Sequence, residues 1–360
     1  MAALAEILDL ARWAPSGDNT QPWRFAIEGS DRVTVYGYDT RAHCVYDLDG
    51  HPSQISLGAL LETIDVAATR FGLRAQATRR AGSPDERPIF DVQFRSDAKL
   101  AEDALVACIG ERRVQRRPLH TRPLIAPEKQ DLERAVEPDF QLIWFEGLRS
   151  RARMAWLNFT SAKIRLTLPE AYRVHRDVIE WKARFSERKV PDAALGASLP
   201  TLMLMRWAMA SWERIAFLNR WLAGTVMPRV ELDLIPGVAC AAHCVLVARR
   251  PPSTLDDYVA AGRALQRFWL TATRLGLQFQ PQYTPLIFAR YARNEVSFAE
   301  SSRALEQAQR VRAAVERLLG GDMASRAVFA GRIGAGRPAT ARSMRLPLDE
   351  LLEARGDSPP

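Results

Sequence analysis

The 360-residue chain carries 50 Lys and Arg against 42 Asp and Glu, a net charge of +8, with a 47% apolar share that is ordinary for a globular protein with a large core. That length allows two ordinary domains or one elaborate one, and four cysteines exclude a disulfide scaffold. The arginines are scattered and lack the basic stripe with stacking aromatics of a nucleic-acid binder, and no uninterrupted membrane span exists.

The elements are predicted in chain order as follows. A short amphipathic helix covers 2–13, and its start lacks the basic residues and apolar run of a signal peptide, so a cytoplasmic location is expected. The next residues, Arg12-Trp13-Ala14-Pro15-Ser16-Gly17-Asp18-Asn19-Thr20-Gln21-Pro22-Trp23, read as a stiff loop, because two prolines fix φ and cannot donate. A hairpin of 23–28 and 32–38 follows across Gly29-Ser30-Asp31. A helix runs from Leu57 to Leu73, then a strand over 88–95, helices over 100–111 and 127–136, and a strand over 139–145. Helices are expected over 150–187 and 203–222, a strand over 243–249, a helix from Ala261 to Leu277, and a last helix over 300–319.

Two of these helices form an internal repeat. Both open near a glycine, Gly58 and Gly262, and close on Ala-Thr-Arg-apolar-Gly-Leu. Apolar residues recur at helical spacing in each: Leu57, Leu60, Leu61, Ile64, then Leu265, Phe268, Trp269, Ala272. Gly72 and Gly276 suit left-handed caps, and Thr254 with Asp257 makes a capping pair. The words Ala42-His43-Cys44-Val45 and Ala242-His243-Cys244-Val245 precede the two helices at comparable distances. Neighbouring residues on a strand point to opposite faces, so neither His-Cys pair can chelate one ion, and no metal site is expected. The apolar stretch 199–228, interrupted by Arg206, Glu213, Arg214 and Arg220, reads first as a core helix. A mobile lid and a membrane-surface segment are the other readings.

The Pro15-Ser16-x-x-Asn19-x-Gln21-Pro22-Trp23 run resembles the flavin-binding loop of the nitroreductase superfamily. Glu111-Arg112-Arg113-Val114-Gln115-Arg116 resembles that family's Arg-Arg-Ser-x-Arg opening, with Val114 at the serine position. Arg345-Leu346-Pro347-Leu348 is similar to its closing phosphate-binding segment, with Ser343 where a lysine is common. The Arg-rich opening lies in the second half and the Pro-Ser loop in the first. The resemblance therefore implies an α+β, nitroreductase-like fold of two diverged, fused halves forming a pseudo-dimer, similar to the Acg-type single-chain branch. The halves would span 1–108 and 109–350, with a helical insertion at about 150–228 and a flexible tail at 351–360.

One FMN per chain is implied. Its contacts would be Arg12, Pro15, Ser16, Asn19 and Gln21 from the loop, Arg112, Arg113 and Arg116 from the opening, Gln280, Pro281 and Gln282 after the second repeated helix, and Arg345. Two-electron transfer from NAD(P)H to a nitroaromatic, quinone or related small-molecule acceptor is the expected function. The alternatives are an FMN-sequestering protein with little turnover and a flavin-dependent dehydrogenase of a biosynthetic pathway. The cofactor carries the hydride chemistry, so no catalytic side chain is required. A monomeric pseudo-dimer or weak homo-oligomer is expected, with no nucleic-acid partner and no integral membrane segment.

Overall fold

The computed structural model describes residues 2–221 and 224–353 and shows a mixed α and β protein. Helix α1 (Ala2–Ala11) leads through the loop into strands β1 (Trp23–Glu28) and β2 (Arg32–Gly37), followed by α2 (His51–Thr69), β3 (Leu73–Arg79) and β4 (Ile89–Ser96). These strands form an antiparallel sheet in the order β1-β2-β4-β3, with Phe25 opposite Val35 and Val33 opposite Val92. Alternate apolar side chains (Phe25, Val33, Val35, Phe90, Val92) pack on the α2 face formed by Leu57, Leu60, Leu61 and Ile64, as period-2 strands against a period-3.6 helix require.

The second half opens with α3 (Ala126–Arg134) and β5 (Phe140–Phe145). Helices α4 (Gly147–Thr167) and α5 (Pro169–Val178) follow, then three two-residue strands, β6 (Ile179–Glu180), β7 (Phe185–Ser186) and β8 (Val190–Pro191). Helices α6 (Leu199–Ala208), α7 (Trp212–Trp221), α8 (Val226–Arg229) and α9 (Ile235–Val238) come next, with a π-helical turn at Val230–Leu234. The chain ends in β9 (Ala242–Ala248), α10 (Leu255–Arg274), β10 (Leu277–Pro281), α11 (Thr284–Arg293), α12 (Ser302–Leu319), α13 (Gly321–Arg326), β11 (Ala327–Ala335), β12 (Arg342–Ser343) and α14 (Leu348–Leu351). A second antiparallel sheet runs β10-β11-β9-β5 and packs on α10 through Phe279, Ile333, Leu265, Phe268 and Trp269.

The repeated helices α2 and α10 pack directly on each other. They cross at the two repeat glycines: a Cβ placed on Gly58 would lie 2.9 Å from the Gly262 Cα and closer still to the Val259 carbonyl. Only glycine permits that approach. Beside the crossing, Arg263 pairs with Asp65 and Glu62, Arg267 with Glu62 (2.5 Å) and Asp103 (3.1 Å), and Gln266 Nε2 donates to Thr63 Oγ1 (2.9 Å). Both helices begin about six residues before the predicted start and stop before Gly72 (φ 62°) and Gly276 (φ 70°), which take the left-handed conformation. Thr254 and Asp257 form the reciprocal capping box.

Several expectations are corrected. The 100–111 helix is only a 3-10 turn, Val106–Cys108. Asp103 accepts from the Leu105 amide there, a turn-forming bond that competes with helix. The 150–187 helix breaks at Leu168, which is extended (φ −101°, ψ 131°) because Pro169 follows. Helical structure then ends at Val178, and β6 pairs with β8 while β7 pairs with β12. His43-Cys44 lies in turns, whereas His243-Cys244 lies in β9, so the two words are not structural equivalents. The 199–228 stretch is not a core helix: Leu199, Met203, Trp207, Phe217 and Trp221 are exposed. The flexible tail does not begin at 351. Leu351 is fully buried in the first core, and the Glu353 amide donates to the Phe25 carbonyl (2.9 Å). The remainder, 354–360, lies outside the described residues.

Candidate functional site

The loop after α1 is a clamp built from its own side chains. Asp18, Asn19 and Gln21 all take positive φ (50°, 63° and 49°), a conformation that costs free energy at non-glycine residues and concentrates at functional loops. Ser16 Oγ, just after Pro15, holds the turn by accepting from the Gln21 amide (3.0 Å). Asn19 Oδ1 accepts from Arg345 Nη1 (2.8 Å), and its Nδ2 donates to the Glu187 carbonyl (2.9 Å). Gln21 Oε1 accepts from the Leu346 amide, and its Nε2 donates to the same Glu187 carbonyl, each at 2.8 Å. The loop thus joins the end of the chain to the segment between α5 and α6.

Around this clamp sits a cluster of arginines. Arg112 is buried; its Nη2 donates to the Trp13 carbonyl (2.8 Å) and its guanidinium stacks 4.5 Å from the Trp269 ring centre. Arg342 stacks on Trp13 (4.6 Å) and donates to the Gly110 carbonyl (2.7 Å). Arg345 Nε donates to the Ala14 carbonyl (3.0 Å). Arg12 Nη1 donates to the Leu346 carbonyl (3.1 Å), and Arg113 Nη1 to the Ala339 carbonyl (3.1 Å). Arg12 pairs with Asp9, but among the described residues Arg112, Arg113, Arg342 and Arg345 meet no carboxylate. The Nε atoms of Arg112 and Arg342 are buried without a partner.

Burial pushes the Arg345 guanidinium down to about 9, with Arg342 and Arg12 adding repulsion, and pushes Arg342 down to about 10, with Arg113 adding. Arg112 is pushed well below its ordinary value by burial, then by Arg345 and Arg342. A guanidinium keeps its proton in proteins, so the cluster holds positive charge that no carboxylate among the described residues neutralises.

A second charged cluster lies beside the loop: Asp18, Tyr46, Arg116, Arg165 and His175 stand within electrostatic reach of one another. Burial raises the Asp18 carboxyl, and Arg116 and Arg165 act against the rise. The Tyr46 hydroxyl and His175 Nε2 share a hydrogen bond of 3.0 Å. Burial, then Arg165, pushes His175 down to about 3, so it is neutral. The Arg116 side chain donates to the Ala194 carbonyl (3.0 Å).

The side chains of the residues expected after the second repeated helix are engaged within the chain. Gln280 Oε1 accepts from Arg332 Nε (2.5 Å), and Arg332 is fully buried with Nη2 donating to the Arg116 and Arg117 carbonyls (2.8 Å each). Pro281 pairs with Gly331 on β11, and Gln282 Oε1 hydrogen-bonds His243 Nδ1 (2.9 Å). The structure therefore gathers Arg12, Pro15, Ser16, Asn19, Gln21, Arg112, Arg113 and Arg345 at one place. Arg116 lies with Asp18 and Arg165, and the Gln280 and Gln282 side chains are engaged with Arg332 and His243. Arg342, Arg332, Arg165, Tyr46 and His175 were not singled out from the sequence. Only Arg342 left a local trace, a basic residue one position from the Ser343 that replaces the expected lysine.

No family model matches the chain. It is 26% identical over 277 residues, 74% of each chain, to the uncharacterized protein Rv3127 of Mycobacterium tuberculosis H37Rv and to its counterpart MT3212 of strain CDC 1551. Among solved structures it is similar to a nitroreductase-like family protein from Bacillus cereus (14% identity, TM-score 0.35, 72% of this chain and 100% of that one). It is also similar to the FMN-dependent nitroreductase NfnB from Mycobacterium smegmatis, solved with NADPH (14%, TM-score 0.37, 68% and 94%).

Proposed function

We propose that this chain is an FMN-dependent oxidoreductase of the nitroreductase type, built from two fused halves that share one flavin. The observation that carries the reading is the arginine cluster at Arg112, Arg342 and Arg345, which is buried, mutually repelling and met by no carboxylate among the described residues. A phosphate monoester carries nearly two negative charges and several acceptor oxygens, and guanidinium forks match it. The two unpartnered Nε donors fit that group. Arg112, Arg342 and Arg345 would hold the phosphate, and Asn19 would hold Arg345 in place from the loop.

Bound flavin would supply two-electron hydride chemistry. The chain's own residues do the rest. Arg116 and Arg165 bring positive charge to the cluster of Asp18, Tyr46 and His175, which favours anionic and electron-rich ligands there. Asp18 and the Tyr46–His175 pair are its titratable groups. An NAD(P)H donor and a nitroaromatic, quinone or related acceptor would bind there in turn.

A second reading, flavin held with little turnover, is favoured by one feature. The Glu187 and Lys189 carbonyls strap the segment between α5 and α6 across Asn19, Gln21 and Ser343, which would restrict exchange at the loop. Purified protein should be yellow, with one flavin per chain by absorbance. Asn19→Ala and Arg345→Ala should each lower that occupancy, and unchanged occupancy in both would remove the assignment. Reoxidation by a quinone after NADPH reduction separates the two readings: rapid turnover supports the enzyme, and slow single-turnover reoxidation supports the holder.

A further inference from the structure

We propose that the helical pair α6–α7 is a docking surface for an anionic lipid bilayer, lying in the plane of the headgroups. Leu199, Met203 and Trp207 recur every four residues on α6, as do Phe217 and Trp221 on α7, so each set shares one face. These are not marginal exposures: Met203 is 70% exposed, Trp221 67% and Phe217 54%, and Met227 of α8 adds 64%. Arg214 of α7 reaches Trp207 of α6, so the two helices sit side by side, and exposed apolar surface on such a pair marks an interaction site.

The charges identify the partner. Arg206, Arg214 and Arg220 lie among these side chains, and Glu213 is the sole acid on the two helices. The Arg214 guanidinium lies 5.0 Å from the Trp207 ring centre, and Arg220 lies 5.3 Å from that of Trp221. Tryptophan with arginine suits the interface between water and lipid, where an apolar body is buried and a cation meets phosphate. A second copy of the chain is a poor occupant. A two-fold contact would set arginine against arginine, with one Glu213 to offset three. No helix among the described residues is long and apolar enough to cross a membrane, so the contact is in-plane, as for other amphipathic surface helices.

The test is sedimentation of the full-length protein with vesicles of phosphatidylcholine alone or mixed with phosphatidylglycerol. The protein should pellet with the mixed vesicles and be released by salt. R206Q/R214Q/R220Q should weaken that binding about 100-fold, since each cation near such a surface is worth about fivefold. W207S/W221S should weaken it on both vesicle types. All five positions are at the surface, and an unchanged melting temperature shows that the variants fold. Failure to pellet, or equal pelleting by the triple variant, overturns the proposal. So does a concentration-dependent dimer in sedimentation equilibrium that W207S/W221S abolishes, which would assign the patch to a second copy.

Discussion

Two arginines in this molecule are buried to a similar depth and behave in opposite ways. Arg290 on α11, 8% exposed, grips Asp49 through Nε (2.6 Å) and Nη2 (3.1 Å) and donates Nη1 to the Tyr283 hydroxyl (2.9 Å). Burial alone would lower its basicity, yet the surrounding Tyr283 and Asp49 groups hold it above its ordinary value. Burial likewise raises Asp49, but the hydrogen bond from His51 and the charge of Arg290 outweigh it and hold the carboxyl well below the usual range. Arg112, 3% exposed, has only a carbonyl and an indole face and is pushed down. A buried charge answered from within the chain belongs to the architecture. One left unanswered is a candidate for an opposite charge supplied from outside.

The comparison breaks most visibly at the matched pair. Asp49→Ala leaves Arg290 buried and unpaired, and should cost about 3–5 kcal/mol, read as a lower midpoint in urea or heat. A change under about 1 kcal/mol would mean that water answers the charge as well as Asp49 does. The seam between α2 and α10 gives the next largest effect. Gly262→Ala drives a methyl into the Ile55 carbonyl, where backbone rather than a flexible side chain must give way, at about 3 kcal/mol. Gly276→Ala, at positive φ but with nothing within 4 Å, should cost about 1 kcal/mol from backbone conformation alone.

A third buried group is neither matched nor charged. His175 is held neutral with its folded value near 3, below the unfolded 6.5. Its contribution is therefore fully present above pH 6.5 and is lost as the pH falls toward 3. At pH 5 the loss should be about 2 kcal/mol. His175→Gln, which keeps a partner for Tyr46, should remove that acid sensitivity while leaving stability at pH 8 nearly unchanged. An identical fall in melting temperature between pH 8 and pH 5 in both proteins would show that another group titrates.

What was readable in the sequence was local. The Gly72 and Gly276 caps and the Thr254 capping box each depend on neighbours within four residues, and they stand where the pattern placed them, although both helices start about six residues early. The loop was legible for the same reason. The second cluster was not. Asp18 and Tyr46 meet Arg116, Arg165 and His175 across at least 70 residues of sequence, and no periodicity encodes that meeting. The sequence also could not tell that the apolar face of 199–228 looks outward, since Trp207 and Trp221 have the same spacing in a core as on a surface. The 100–111 segment misled because its apolar residues, Leu105, Val106, Cys108 and Ile109, are buried by the first core rather than by a helix of their own.

The sharpest version of the comparison replaces the unmatched charge itself. Arg112→Met keeps much of the volume and the contact with Trp269 but deletes a buried cation that no carboxylate among the described residues neutralises. The flavin-free protein should therefore gain about 1–2 kcal/mol, the direction seen when an uncompensated buried charge gives way to an apolar side chain. The same variant should lose most of its bound flavin, so stability and occupancy move in opposite directions. Arg290→Met should do the reverse on stability, because it leaves Asp49 buried and alone. If Arg112→Met instead destabilises the flavin-free chain as Arg290→Met does, then the carbonyl of Trp13 and the ring of Trp269 already satisfy Arg112. The cluster would then be a structural knot rather than a seat for phosphate.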